Sequence, residues 1–281
     1  MNILYCGDSN IANGVVLSVL SLMSKTKEQL NIYILTADVK TDLKEYTALS
    51  DDFAETLRKH VTDCNPENSV TLINVTDLFF SDLPAANLNT RFTPCCMLRL
   101  YADLVPEIPD KILYLDNDVL CRMDISEFYN QDISTFELAG VLDYYGKWFF
   151  HNNIFKFDYL NSGVLLLNMK KIRETGLFEK CRTRCREKEM FMPDQSAINK
   201  LSAHKKICER RYNEQRKLKD NTVLQHFTTS FRLIPWLHTV SVKPWEFERM
   251  HSVLKLHEYD GLFLEYEQFN HEIKKVKELS I

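Results

Sequence analysis

Two aspartates one residue apart, Asp116 and Asp118, close the apolar run that begins at Lys111 and carry the strongest chemical signal in the chain. In an extended backbone, positions two apart point to one side, so both carboxylates would face the same space. Two hard oxygen ligands in that relation can hold a divalent cation such as Mn²⁺ or Mg²⁺. A lone Asp-x-Asp also occurs in ordinary surface turns; its place at the end of a buried strand is what gives it meaning. Gly7-Asp8-Ser9-Asn10 ends a second apolar run. There Asp8 and Asn10 either hydrogen-bond a base or ribose edge or cap a following helix. Leu160-Asn161-Ser162-Gly163 puts amide and hydroxyl groups in a turn before another apolar stretch. Pro193-Asp194-Gln195-Ser196 reads as a helix start with Asp194 as the cap. Gln225-His226-Phe227 ends a strand, and Lys243-Pro244-Trp245 reads as a turn. Gly7 through Gly14 does not spell the G-x-G-x-x-G of a nicotinamide-binding turn.

These groups need a frame. Asn2–Cys6 reads as a buried first strand. Ala12, Val15, Val16, Val19, Leu20 and Met23 recur at helical spacing after it. Residues 32–35 and 70–75 read as strands. Ser50 caps a helix with Asp51 and Asp52 in its first turn and Phe53, Leu57 and Val61 on one face. The spacing predicts a helix over 97–105, stopped by Pro106 and Pro109, then a strand over Lys111–Leu115. Leu138–Leu142 and 163–167 are strand-like, and 223–227 is a short strand. Residues 175–188 read as a helix whose basic run, Lys180, Arg182, Arg184 and Arg186, forms a solvated face. Residues 203–219 read as polar and irregular. Residues 245–279 read as helical, with Met250, Val253, Leu254 and His257 on one stripe. Strands alternating with helices predict an α/β fold with a mostly parallel central sheet and flanking helices. In such sheets ligands sit at the carboxyl ends of the strands, where both acidic turns fall.

Composition narrows the field. The chain has 281 residues, 45% of them hydrophobic, and a net charge of −4. Disorder needs fewer aromatics and more charge imbalance, and a nucleic-acid binder needs a basic excess. The eight cysteines contain no C-x-x-C pair and several sit in apolar runs, so most of them read as reduced, buried thiols. Cys181 and Cys185 lack a second ligand pair for structural zinc. No run approaches the roughly 20 apolar residues of a membrane span, and the first residues lack a basic leader, so a cytoplasmic protein is expected. Lys274, Lys275 and Lys277 beside Phe269 allow at most a peripheral membrane contact.

Taken in order along the chain, these pieces resemble the family 8 glycosyltransferases, which include bacterial lipooligosaccharide galactosyltransferases and glycogenin. Tyr114-Leu-Asp-Asn-Asp-Val119, Leu160-Asn-Ser-Gly-Val-Leu-Leu-Leu-Asn168, Asp194-Gln195, the upstream Arg99-Leu100 and the His…Lys-Pro-Trp ending carry the resemblance, which spans roughly residues 1–247. It implies a GT-A fold over 1–247, with 248–281 as a C-terminal helical extension. It implies retaining transfer of a hexose, glucose or galactose, from a UDP-sugar to a glycan or lipid-linked acceptor, with Mn²⁺ or in its place Mg²⁺. Residue by residue, Asp8 and Asn10 would hold uracil and ribose, with Cys6 contributing backbone and Asn117 lying beside the nucleotide. Arg99 would approach the diphosphate or sugar. Asp116 and Asp118 would bind the metal, and Lys243 would neutralise the leaving diphosphate. Asp143, Asn161, Asp194 and Gln195 would surround the donor sugar, with Gln195 at the β-face of the anomeric carbon.

The third metal ligand is open between two histidines. The family pattern is His-x-x-Gly-x-x-Lys-Pro-Trp, whereas here His226 lies 17 residues before Lys243 and His238 lies five before it. His226 is favoured because it ends a strand. Two other readings compete: a nucleotide-sugar-binding module without catalysis, and a haloacid-dehalogenase-type phosphatase. The phosphatase shares the strand followed by Asp-x-Asp, but its Gly-Asp motif should come last, and Gly7-Asp8 comes first.

Overall fold

The computed structural model describes residues 1–90, 93–149, 158–232 and 238–279, without the side chains at 149, 231, 232, 238 and 272–279. Its strands are β1 (Asn2–Cys6), β2 (Asn31–Thr36), β3 (Val39–Lys40), β4 (Glu45–Tyr46), β5 (Ser69–Asn74), β6 (Lys111–Leu115) and β7 (Val119–Cys121). They continue with β8 (Leu138–Leu142), β9 (Leu160–Asn168), β10 (Lys205–Ile207), β11 (Leu224–His226), β12 (Ser230–Arg232) and β13 (His238–Val240). Seven of them form the central sheet in the order β10-β8-β9-β6-β1-β2-β5. Neighbours run parallel except β9, which is antiparallel to both β6 and β8.

The continuous apolar runs exist because both faces of this sheet are covered. Ile3, Tyr5, Leu113, Leu115, Val164 and Leu166 enter one core, with the helix Ala12–Lys25. Leu4, Ile112, Tyr114, Leu165 and Leu167 alternate into the other, with Pro94–Leu104 and the helix Leu177–Glu187. Period-two alternation thus places successive side chains in opposite layers. Ser50 caps the helix Asp51–Cys64, its hydroxyl accepting from Phe53 N at 3.3 Å.

Four local expectations change. Pro94–Leu104 is a 3₁₀-helix, buried on nearly every side, with Thr93 accepting from Cys95 N at its start. The basic helix runs over Leu177–Glu187, as expected, and Gly176 in the left-handed region (φ 64) separates it from a preceding helix, Met169–Thr175. Its Arg182 does not face solvent: it is buried against Asp82 and Asp103. The polar stretch 203–219 supplies β10, an edge of the main sheet, and the buried Tyr212 to Gln215. The C-terminal helix is interrupted. A short turn, Phe247–Arg249, leads into a π-helical one, Met250–Leu254, which ends at Lys255 with φ 55. The helix Asp260–Leu279 follows; its Phe263, Tyr266 and Phe269, and Tyr259 just before it, are buried in the same core as the helix Ala12–Lys25. The basic side chains at 274, 275 and 277 lie outside the described residues.

None of the eight cysteines forms a disulfide; Cys95, Cys121, Cys181 and Cys185 are buried, whereas Cys64 is exposed. Among the described residues, no helix is long and apolar enough to cross a membrane.

Candidate active site

The sheet brings three strand ends together. β6 stops at Leu115, and the incoming end of antiparallel β9 lies beside it, Asp116 N donating to Gly163 O at 2.8 Å. β8 ends at Leu142, and Asp143 N is held by Tyr159 O at 2.9 Å. Asn161, Ser162 and Gly163 therefore belong to β9 itself rather than to a turn before it. Asp116-Asn117-Asp118 is not extended. Val119 N donates to Asp116 O at 3.2 Å, closing a tight turn. The convergence of the two carboxylates comes from this turn, not from strand periodicity. β7 then pairs antiparallel with β11, His226 opposite Val119, and Phe227 N donates to Asp118 O at 3.0 Å. That pairing delivers the imidazole to the aspartates.

Asp116, Asp118 and His226 form a group whose ligand atoms all lie within 4.8 Å of one another. His226 Nε2 is 3.1 Å from Asp118 Oδ1 and 3.6 Å from Asp116 Oδ2. Despite that approach, Asp118 Oδ1 is buried without a hydrogen bond. An orphaned buried acceptor costs about 1–3 kcal/mol, so a site that keeps one is built for a further partner. Adjacent oxygen or nitrogen ligands of a six-coordinate cation bound at roughly 2.1 Å are about 3 Å apart, and His226 Nε2 lies 3.1 and 3.6 Å from the two carboxylate oxygens. The donor set, two carboxylates and an imidazole, thus fits a divalent ion such as Mn²⁺ or Mg²⁺.

The far side of the imidazole is fixed. His226 Nδ1 faces the amide oxygens of Asn161 and Asn213 at 3.1 and 3.3 Å. Two acceptors there keep the proton on Nδ1 and leave Nε2 with a lone pair toward the aspartates. Gly163 makes the approach possible: a Cβ on it would overlap His226 Cε1 and come within 2.6 Å of Asp116 Oδ2. Gly14 does the same one layer out, where a Cβ would overlap Asn117 O and lie 2.8 Å from the Trp245 ring.

Arg99 is the hub behind this wall. Buried on the 3₁₀-helix, it donates to Asp116 Oδ1 at 2.9 Å, Ser162 O at 2.7 Å and Cys96 O at 3.0 Å. Its Nε also pairs with Asp194 Oδ2 at 3.2 Å, and its guanidinium stacks 3.9 Å over the Tyr114 ring, whose hydroxyl donates to Asp116. Arg99 lines the cavity, but its donors are committed to carboxylates and carbonyls. Lys243 pairs with Asp118 Oδ2 and donates to Phe227 O at 3.2 Å. Burial would raise the Asp118 carboxyl, but Lys243 and His226 outweigh it and hold the group well below the usual carboxylate range. Burial likewise pulls the Lys243 ammonium down, and Asp118 more than reverses it, so the lysine stays charged.

Across the cavity stands an amide–carboxylate wall. Gln195 Oε1 accepts from Ser162 N at 2.8 Å, and its Nε2 donates to Asp143 Oδ2 at 3.4 Å. Asn161 Nδ2 donates to the same Asp143 oxygen at 3.0 Å. Asp143 Oδ1 accepts from the backbone of Tyr145 and Gly146. Asp194 accepts from Ser162 Oγ and Cys96 Sγ. It lies inside the helix Pro193–Leu201, not at its cap, which is Met192.

Arg99, Asp116, Asp118, Asp143, Asn161, Asp194, Gln195, His226 and Lys243 all line one cavity of about 510 Å³. Cys6, Asp8, Asn10 and Asn117 do not line it. Asp8 is buried at the end of β1, accepting from Asn10 Nδ2 at 2.7 Å, and makes no side-chain cap on the turn that follows. His238 sits in β13, with its backbone opposite Arg232; its side chain lies outside the described residues. Sequence reasoning missed Asn213 and Gln215. Both come from the stretch read as irregular, and Gln215 lines the cavity while its Oε1 accepts from Tyr144 N. A buried polar side chain in an aperiodic segment leaves no signal in one sequence.

A mostly parallel sheet with a metal-ready acidic turn at the end of a central strand is the architecture of a GT-A glycosyltransferase. An active-site mutant of LgtC shares that fold at a TM-score of 0.67 and 18% identity, over 98% of this chain and 96% of that one. The galactosyltransferase LgtC in complex with donor and acceptor sugar analogues matches at 0.61 with the same identity and coverage. The chain belongs to glycosyl transferase family 8, whose sequence model matches residues 2–249. A lipopolysaccharide 1,2-glucosyltransferase of Escherichia coli is 28% identical over 264 residues, 87% of this chain and 72% of that protein. A putative glycosyltransferase of Haemophilus influenzae is 25% identical over 187 residues, 64% of this chain; the match spans about half of that relative's length, 52%.

Proposed function

We propose that this chain is a retaining hexosyltransferase that moves glucose or galactose from a UDP-sugar to a glycan or lipid-linked acceptor, dependent on Mn²⁺. The observation that carries the reading is the orphaned Asp118 Oδ1 between His226 and Asp116, on the wall of a cavity whose opposite side is the Asp143–Asn161–Gln195 network. Asp116, Asp118 and His226 would hold the ion. A divalent ion held there would supply positive charge to offset the negative charge that builds on departing UDP. Lys243, already charged and pointed at Asp118, adds to that stabilisation. Asp8 and Asn10, which follow Cys6 at the end of β1, read uracil and ribose, with Asn117 in the turn after β6. Arg99 positions Asp116 and Asp194.

On the sugar side, Asp143, Asn161, Asp194 and Gln195 hold the hydroxyls and stabilise positive charge developing on the ring. The bond from the anomeric carbon to phosphate oxygen breaks, and the bond to the acceptor oxygen forms on the same face. The acceptor's proton passes to the leaving phosphate. This front-side route is supported by Gln195: its amide oxygen is committed to Ser162 N, so it is poorly placed to attack carbon. The four buried thiols, Cys95, Cys121, Cys181 and Cys185, and the lack of disulfides fit a reducing, cytoplasmic setting. The test is a panel of UDP-sugars assayed for hydrolysis without acceptor. UDP-glucose or UDP-galactose should turn over with Mn²⁺ and not with chelator; turnover undiminished in chelator would refute the metal assignment.

A further inference from the structure

Outside the site just described, and beyond the segment that the family model covers, two histidines and an aspartate converge. His251 lies in the π-helical turn Met250–Leu254, His257 in the loop after it, and Asp260 opens the helix Asp260–Leu279. Asp260 offers one oxygen to each ring: Oδ1 is 2.6 Å from His251 Nε2, and Oδ2 is 3.4 Å from His257 Nδ1. The imidazoles stack with centroids 4.3 Å apart and planes 25° apart, so the two rings sit side by side rather than at a distance. One ligand atom from each residue falls within a sphere of mutual distances below 4.8 Å. His251 also lies 6.1 Å from the Phe263 ring, which stacks on Phe247, so one flank is apolar while His257 stays open to water.

We propose that His251, His257 and Asp260 form a second metal site, for a borderline transition-metal ion such as Zn²⁺, that ties the Met250–Leu254 turn to the start of the last helix. Two imidazoles and one carboxylate are a zinc-type donor set, and solvent exposure leaves the fourth position for water. The set discriminates against Mg²⁺, which prefers oxygen ligands throughout. The ion would cross-link the backbone on both sides of the strained Lys255 turn and so stiffen the packing of the C-terminal helix on the core. It takes no part in sugar transfer.

The test uses the full chain, stripped with chelator and returned to excess Mg²⁺ to occupy oxygen-rich sites. Bound zinc is counted by equilibrium dialysis at micromolar free Zn²⁺ for the wild type, His257→Asn and His251→Gln. The glutamine keeps a hydrogen-bond donor for Asp260 and removes the imidazole. The proposal expects each variant to bind one zinc fewer than the wild type. It also expects the zinc-induced rise in Tm to be several degrees smaller in His257→Asn, whose Tm in chelator equals that of the wild type. His257 is exposed, so this variant decides the matter even if His251→Gln fails to fold. Equal zinc counts, or an equal rise in Tm, in the wild type and His257→Asn would show only a hydrogen-bonded helix start and overturn the site.

Discussion

Arg99 and Arg182 are both buried arginines with two aspartate partners, yet they do different work. Arg182 donates to Asp82 and Asp103 and to Leu100 O, and Arg186 closes the outer side of Asp82. That cluster lines no part of the cavity and leaves no carboxylate oxygen orphaned. Arg99 holds Asp116 and Asp194 in the same way, but its wall ends in Asp118 Oδ1, which has no hydrogen bond and faces a cavity. Burial and ion pairing alone do not mark a functional site. An unfinished coordination set beside open space does.

The contrast can be broken at either end. Arg182→Met should give the largest stability effect, about 3–5 kcal/mol lost, because Asp103 is left buried without its partner. Chemical denaturation reads it, and transfer by the folded fraction should stay near the wild-type rate. Gly163→Ala should act in the opposite sense. The added methyl displaces His226 and Asp116, so activity should fall about 100-fold or more, the range seen when an electrostatic catalytic group is lost. Raised Mn²⁺ demand in an activity titration would accompany it, with only a small change in Tm.

Asn213→Ala removes one of the two acceptors that orient His226 Nδ1. Its cost should be about 10–100-fold in metal affinity, as for other groups that orient a ligand, read by Mn²⁺ titration of activity. The smallest effect belongs to Glu137, a buried carboxylate that serves the fold alone. Burial raises its pKa, but hydrogen bonds from Thr175, Ser202 and the backbone of His204 and Ala203 outweigh it and bring it below the ordinary 4.5. A depressed folded pKa contributes stability that is complete above the unfolded value and is lost as the pH falls through the folded one. Glu137→Gln should therefore cost about 1–2 kcal/mol at neutral pH, with the difference from the wild type shrinking below about pH 4.5 in acid titrations.

The sheet and the metal-ready wall were legible because their signals are local. Continuous apolar runs mark strands covered on both faces, and Asp116, Asp118 and His226 each sit at the end of one. The Arg182 cluster was misread because a basic run at helical spacing looks the same whether it faces Asp82 and Asp103 or water. Asn213 and Gln215 were invisible because their partners, Asn161, His226 and Tyr144, are distant in sequence. The turn at Asp116-Asn117-Asp118 produced the predicted convergence by a different geometry. The break at Lys255 escaped notice because a π-helical turn keeps the apolar stripe of an α-helix for most of its length.

The most direct measurement is the affinity of UDP by calorimetry, in chelator and in saturating Mn²⁺, for the wild type and for Asp118→Asn. Wild-type UDP affinity should rise at least tenfold with Mn²⁺. In Asp118→Asn, with the orphaned oxygen's charge gone, the metal should make little difference. A wild-type affinity that does not change with Mn²⁺, or an Asp118→Asn variant that responds as the wild type does, would contradict the account.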